Sequence, residues 1–450
     1  MTQAYEFEQL PVIRLLIKLS LPMAIGMIIN SLYTLVDAMF IARFIGEKAF
    51  ASVSTVFPLQ IGFVALAIMI SNGASVLLSQ ALGKNDTSRV QSIIHSACLL
   101  ILSFSLMIIL LTLCSSQGLM NWLNIPLLLQ ADATTYFQIM AIGAVFVFSL
   151  SLFCDVLRSL GKMKYLITVI TVGAVTNILA DYLFIVVFGW GVAGAALASL
   201  FAHLISLCLG LWFLYKTQFL FYFGLKYGNK ITDILKTGLP AFTVYIGGAL
   251  IILICNYNIA TYSLEYSASV LAAYGIIGRL NIFIGLPIIA ITNACQTTAA
   301  YNYGAGHKGR VIESIKYGLY LAVGYLTFIS FCLFTFTDNI VALFHKDTQV
   351  LTASSDIIRT VFLFLPLAAV TSIFVASMQA TGQAGKALLI SICKIYVLLL
   401  PLLFITPKLG HFELLWNVFP MVELFMFCAI LFLFLSRKEH QVFENNLETA

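Results

Sequence analysis

Apolar residues along this chain fall in long, nearly uninterrupted runs separated by short polar stretches. A window of about 19 residues resolves twelve runs, at approximately 11–41, 50–78, 91–114, 132–157, 164–187, 190–215, 233–257, 268–300, 314–336, 356–379, 385–406 and 413–435. A helix crosses a bilayer with about 20 mostly apolar residues, so each run predicts one membrane-spanning helix. The second and eighth runs exceed that length and are expected to tilt, kink or overshoot. The predicted fold class is an all-α polytopic membrane protein with twelve transmembrane helices.

The pattern repeats. Lys18-Leu-Ser-Leu-Pro22, near the start of run one, matches Lys236-Thr-Gly-Leu-Pro240 in run seven, 218 residues later. Ser71-Asn72 through Gly83 to Arg89-Val90 matches Thr292-Asn293 through Gly304 to Arg310-Val311 at a shift of 221. Arg158-Ser-Leu-Gly161 matches Gln379-Ala-Thr-Gly382 at the same shift. Three anchors at nearly one offset predict two pseudo-symmetric six-helix lobes. Because six is even, both lobes insert the same way up, the parallel-repeat plan of transporters whose site lies near mid-membrane. The expected divisions are an N-lobe over 1–215, a cytoplasmic linker over 216–231, a C-lobe over 232–436 and a cytoplasmic tail over 437–450.

Composition agrees with a membrane protein: 61% hydrophobic and only 10% charged residues, against roughly 25% charged in soluble domains. The net charge of +5 resides in short loops rather than in a patch, so no nucleic-acid partner is indicated. Nine cysteines nearly all fall in or beside apolar runs, and none forms a C-x-x-C pair. Neither a disulfide framework nor a zinc site is implied. Residues 1–10 are polar and net acidic, and the first run is too long for a cleaved signal, so the first helix is expected to be retained. With the N-terminus inside, 17 Lys and Arg fall in inside segments and 5 outside. That asymmetry predicts both termini in the cytoplasm, in a bacterial-type inner membrane.

Against this background the polar residues inside the runs carry the chemistry. Run one holds Asn30, Tyr33 and Asp37 at i, i+3 and i+7, one face of a helix. Ile28, Leu32, Leu35 and Met39 lie opposite, suited to lipid or a packed neighbour. In run five Asn177 and Asp181 share a face at i, i+4. The repeat supplies a control: Asp37 corresponds to Cys255, and Asn177 and Asp181 correspond to Leu398 and Leu402. The architecture does without these polar groups in its second half, which argues that they act rather than support. Ionisable residues inside a membrane are costly and mark function by default.

A low-dielectric cavity penalises the ionised carboxylate, so Asp37 and Asp181 can exchange a proton, a sodium ion or a cationic substrate, and competition for one charge is a minimal antiport mechanism. Asn30, Tyr33, Tyr136, Asn177 and Ser199 could supply neutral oxygens or hydrogen bonds, although such residues also serve as interhelical glue. Lys394, whose counterpart is Gly173, needs a partner or a cavity. Arg279 in run eight can sit at the interface, Glu423 in run twelve can form a structural pair, and His203 in run six can be a proton relay or a satisfied core histidine.

The sequence has no Walker A motif, no H-E-x-x-H and no G-x-S-x-G. An ATP-driven pump or an enzyme is therefore not expected. Two rivals remain: a flippase for lipid-linked precursors, which would need several cavity arginines or lysines, and a membrane-embedded transferase, which would need a catalytic constellation at one interface.

Leu21-Pro22 followed by Val36-Asp37, the Gly161 turn, and Asn177-Ile-Leu-Ala-Asp181 leading into Gly189-Trp-Gly-Val-Ala-Gly194 resemble the multidrug and toxic compound extrusion (MATE) family over essentially the whole chain. The branch it is most similar to is the DinF type, whose ion-coupling site lies in the N-lobe. The resemblance implies Asp37 and Asp181 as coupling carboxylates, with Asn177, Tyr136 and the Ser199 hydroxyl around them. The NorM-type branch uses acids in helices seven and ten, and here run seven carries Cys255 with no acid inside it. Relatives often have Thr where Ser199 stands, and Pro where Tyr182 stands. The resemblance implies an ion-coupled antiporter, proton favoured over sodium, exporting amphipathic and cationic organic compounds by alternating access. No cofactor is expected beyond the coupling ion H+ or Na+. The expected partners are small organic substrates and membrane lipid, and the expected state is a monomer.

Overall fold

Apolar sequence in lipid leaves the backbone only its own hydrogen-bond partners, so such runs fold as helices. The structure is a computed structural model and describes residues 2–217, 219, 229–262, 267–344, 348–409 and 412–435. Its helices are α1 Thr2–Gln9, α2 Val12–Phe40, α3 Glu47–Gly83, α4 Thr87–Trp122, α5 Leu127–Ile142, α6 Ala144–Ser159, α7 Met163–Asp181 and α8 Gly191–Lys216. They continue as α9 Ile231–Tyr262, α10 Ser267–Gly304, α11 Lys308–Ala342, α12 Thr348–Val361, α13 Leu365–Ala380, α14 Ala384–Ile392, α15 Leu400–Ile405 and α16 Val418–Leu435. Among the described residues no strand occurs.

All twelve runs are accounted for. Nine are continuous helices long and apolar enough to span a membrane. Run four is the pair α5–α6, bent by 49°, and run ten the pair α12–α13, bent by 46°. Run twelve is the shorter α16. The two long runs become α3, with 37 residues, and α10, with 38, each carrying an internal proline, Pro58 and Pro287. The protein is an all-α integral membrane protein with two lobes, and its described residues hold up to eleven spans together with the shorter α16.

The described residues group into two compact units, Pro22–Phe242 and the combination of Met1–Leu21 with Thr243–Ala450. The divisions fall inside α2 and α9, beside the repeated prolines Pro22 and Pro240, so each of these helices contributes to both units. The expected linker 216–231 lies mostly outside the described residues, and the tail 437–450 wholly so.

Within the first unit a buried apolar cluster joins Ile41, Ala49, Val56, Met120, Ile125, Ala133, Tyr136, Phe137, Ile185, Val192, Ala195 and Ala196. These positions come from the end of α2, the starts of α3, α5 and α8, and the ends of α4 and α7. They form a plug at one end of the unit. Near the other end, α6 carries Arg158 into an ion pair with Asp155 at 2.9 Å and a hydrogen bond to Ser75 Oγ at 3.2 Å. The repeat-related positions in the second unit, Gln379 and Gln296, hydrogen-bond to each other at 2.8 Å. Both α6 and α13 then end on the same turn: Gly161 and Gly382 adopt φ of 68° and 79°. In each case the next residue's N–H reaches back five positions, Lys162 to Leu157 and Gln383 to Met378. Only glycine enters that left-handed conformation without strain.

The N-terminal helix is bolted to the second unit. Phe7 is fully buried and stacks on Tyr301, with centroids 4.7 Å apart. The Arg310 guanidinium donates to the carbonyls of Phe7 and Leu10, both at 2.8 Å, and to Asn302 Oδ1 at 3.2 Å. A cation thus satisfies carbonyls that the end of a helix leaves open.

Candidate functional site

The site forms where α2 meets α7. Gly26 is buried, and a methyl group placed on it would lie 3.0 Å from Ile170 Cδ1, so the absence of a side chain there lets the two helices approach. From Gly26 to Asp37 is eleven residues, and from Ile170 to Asp181 is also eleven. Eleven residues are close to three turns, about 16 Å of rise, and return each helix to the same face. The contact at Gly26 therefore delivers the two aspartates to one level. Their carboxyl groups come within side-chain hydrogen-bonding reach of each other.

Asp181 is fully buried, and neither of its oxygens finds a hydrogen-bond donor. Asp37 Oδ1 and Asn177 Oδ1 are likewise buried without a partner. Among the described residues no lysine, arginine or histidine pairs with either aspartate. Among the described residues, these four acceptor oxygens on α2 and α7 thus meet no cation supplied by the chain. Uncompensated buried acceptors of this kind are unusual in native proteins, and a pair of carboxylates is the costliest version. What the arrangement can do chemically is take up positive charge.

The neighbours are largely those expected. Tyr33 and Tyr136 both lie close enough to feel the charge of both carboxyl groups. Tyr136 is buried within the apolar plug. Asn177 Nδ2 donates to Ser199 Oγ at 3.4 Å, which fixes the amide so that its oxygen stays free. Asn30 shares the face of Tyr33 and Asp37 but is exposed, and its carbonyl accepts from Thr34 Oγ1 at 2.9 Å. On the opposite face Leu32, Leu35 and Met39 are about half exposed, at 47, 57 and 58%, consistent with lipid contact.

Lys394 stands elsewhere, in the second unit. Its Nζ contacts both oxygens of Glu423, at 2.7 and 2.9 Å. Arg279 is exposed on α10. His203 on α8 lies beside the Ser199 carbonyl, with a buried Nδ1 that makes no hydrogen bond. Cys255, at the position related to Asp37, is fully buried with its thiol beside the Tyr274 hydroxyl. Gln60 on α3 was not foreseen. Its side chain reaches Tyr136, and a single amide in a long apolar run carries no periodic signal that would single it out.

A family model described as MatE matches residues 22–183 and 240–405. The chain belongs to the MatE family. The matched segments begin at Pro22 and Pro240, so the model recognises the repeat as two copies. Among curated relatives, MatE proteins similar to this chain include the probable multidrug resistance protein YpnP of Bacillus subtilis, 26% identical over 406 residues and 89% of each chain. Another is the multidrug export protein MepA of Staphylococcus aureus, 26% identical over 441 residues, covering 97% of this chain and 96% of the relative. Among solved structures, a MATE protein in complex with MaL6 superposes with a TM-score of 0.87 at 21% identity, over 99% of this chain and all of the other. An outward-facing multidrug resistance MATE family transporter of the MOP superfamily gives 0.85 at 21%, over 95 and 96% of the two chains. The two-lobed MatE fold is shared with both.

Proposed function

We propose that this MatE protein is a multidrug efflux transporter, an antiporter that exports amphipathic organic cations in exchange for an ion bound at Asp37 and Asp181. The observation that carries the reading is the pair of adjacent carboxyl groups, Asp181 fully buried and Asp37 half-buried, with no cationic partner among the described residues. A proton shared between them relieves the repulsion of two like charges, and a substrate cation does the same, so each displaces the other. Sodium would use the same oxygens together with Asn177 Oδ1. The proton is favoured because the two carboxyl groups lie within side-chain reach of each other, where a single proton is the smallest bridge. Tyr33, Tyr136 and the Asn177–Ser199 pair orient the site, and the apolar plug excludes water from one side. Curated relatives named for multidrug resistance and export support the substrate class.

With the lysine and arginine asymmetry of the loops, both termini face the cytoplasm of a bacterial inner membrane, and access alternates between its two sides. One unit of one chain assembles the whole site, which supports a working monomer. No cofactor takes part other than the coupling ion, H+ or Na+.

The test is ethidium efflux from proteoliposomes under an imposed pH gradient or an imposed sodium gradient, wild type beside Asp37→Asn. Efflux driven by the pH gradient and lost in the variant is expected. Efflux under sodium alone would change the ion, and undiminished efflux by Asp37→Asn would overturn the reading. Absence of efflux under both gradients, with movement of a lipid-linked substrate instead, would make the protein a flippase.

A further inference from the structure

Three π-helical segments occur among the described residues, and each begins beside an intramembrane charge. Ile41–Ile45 starts four residues after Asp37, and Tyr182–Val187 directly follows Asp181. The third, Cys393–Leu399, contains Lys394. Such segments are rare and concentrate at functional sites, because the widened turn breaks the regular backbone ladder and re-aims side chains. Two of the three flank the carboxyl pair. The third points to Lys394 and its partner Glu423.

That pair is not required by the architecture. At the shift of 221, Lys394 corresponds to Gly173 and Glu423 to Ala202, and the first unit packs the equivalent helices with no charge at either place. Nor is an ion pair an efficient brace at such depth, since desolvation offsets most of the attraction. The two side chains keep 20% and 21% of their surface uncovered by protein, which leaves a face at which a ligand could meet them. The ammonium occupies both carboxylate oxygens at once. A ligand must therefore either replace the lysine or leave the pair alone. Lysine is the partner able to leave, because its long flexible stem can carry the charge aside, whereas the shorter Glu423 stays on α16.

We propose that Glu423 is a second cation site, held in its resting state by Lys394, at which an organic cation displaces the lysine ammonium. The proposal deepens the reading above and rests on its substrate class, but it concerns binding rather than ion coupling. The exchange is one positive charge for another, so it needs no gradient. Lys394 acts as a tethered competitor that keeps the carboxylate neutralised when no substrate is present.

Binding of ethidium to the purified full chain in detergent, followed by fluorescence polarisation without any gradient, tests it. Glu423→Gln is expected to weaken binding about tenfold, and Lys394→Met to tighten it about tenfold. The apolar double variant Lys394→Met/Glu423→Leu keeps the volume without leaving a lone charge, and it should elute as a monodisperse protein with binding as weak as Glu423→Gln. In the Asp37→Asn background, which lacks the coupling carboxylate, Glu423→Gln should still weaken ethidium binding about tenfold, which separates this site from the coupling site. Wild-type affinity in the double variant would show the pair to be a brace and overturn the proposal. Weaker binding in Lys394→Met, no further loss of binding when Glu423→Gln is added to Asp37→Asn, or no ethidium binding by the wild type would overturn it equally.

Discussion

Where α3 crosses the foot of α9, two glycines meet. A Cβ built on Gly238 would lie 1.8 Å from the Met69 carbonyl oxygen and 2.7 Å from its carbon. A Cβ on Gly73 would lie 2.2 Å from the Ile234 oxygen. Ordinary contact begins at 3.4 Å, so alanine at 238 forces the helices apart by about 1.6 Å. The obstacle is main chain and cannot rotate away. Overpacking of this kind costs about 1–3 kcal/mol, and backbone resistance places it near the top of that range. Alanine gains back about 1 kcal/mol over glycine in helix propensity, so Gly238→Ala should lose about 2 kcal/mol. Gly248, on the same helix, has nothing within 4 Å of its would-be Cβ. Gly248→Ala keeps the propensity gain without the clash and should gain up to about 1 kcal/mol. For a unit of about 220 residues the loss lowers Tm by about 4–8 °C. Thermal unfolding of both variants in the same detergent, read by tryptophan fluorescence, measures the difference. A Gly238→Ala protein that melts with or above Gly248→Ala would refute the close crossing.

Arg310→Ala removes three hydrogen bonds to α1 and its neighbours, and bonds to a charged donor contribute about 1.5–3 kcal/mol each at most. Residues 2–10 should then exchange amide hydrogens at least tenfold faster while α10 and α11 are unchanged. Arg158→Gln strands Asp155, and breaking a buried pair from one side costs about 3–5 kcal/mol, seen as a lowered midpoint of thermal unfolding. The triple change Ser75→Gln/Asp155→Ala/Arg158→Gln installs the residues of the second unit, Gln296, Ala376 and Gln379, and should recover most of that loss. A triple variant no more stable than Arg158→Gln would sink the equivalence of the two contacts.

The number and type of elements were legible because a bilayer reduces the choice to helix and because apolar runs of spanning length are hard to mistake. The bends at Gly143 and around Phe362–Phe364 were not, since a hydropathy window reads composition and both breaks occur in apolar sequence. Asp37, Asp181 and Asn177 were legible from the comparison of the two halves, which removes what architecture requires and leaves what it does not. Their meeting was not, because it depends on the close approach at Gly26 and on equal spacing along two helices far apart in sequence. The same holds for Lys394 and Glu423, each conspicuous alone yet joined only by folding. The π-helical segments had no sequence signal at all: a glycine or proline announces a turn, whereas an extra residue in a helical turn leaves composition and periodicity almost unchanged. Asn30 shows the opposite case, a residue on the right face that the structure leaves exposed.

The exchange of helix feet between the units has a consequence for biogenesis. Residues up to Leu21 leave the ribosome first, yet they pack with partners from Thr243 onward. Phe7 and Leu10 must wait for Arg310, about 300 residues later. The first unit in turn is incomplete until synthesis has passed Phe242. Neither unit can close on its own stretch of nascent chain, so the two must mature together. A gene cut at the midpoint would yield two fragments that each lack a piece of their own fold and carry a piece of the other's.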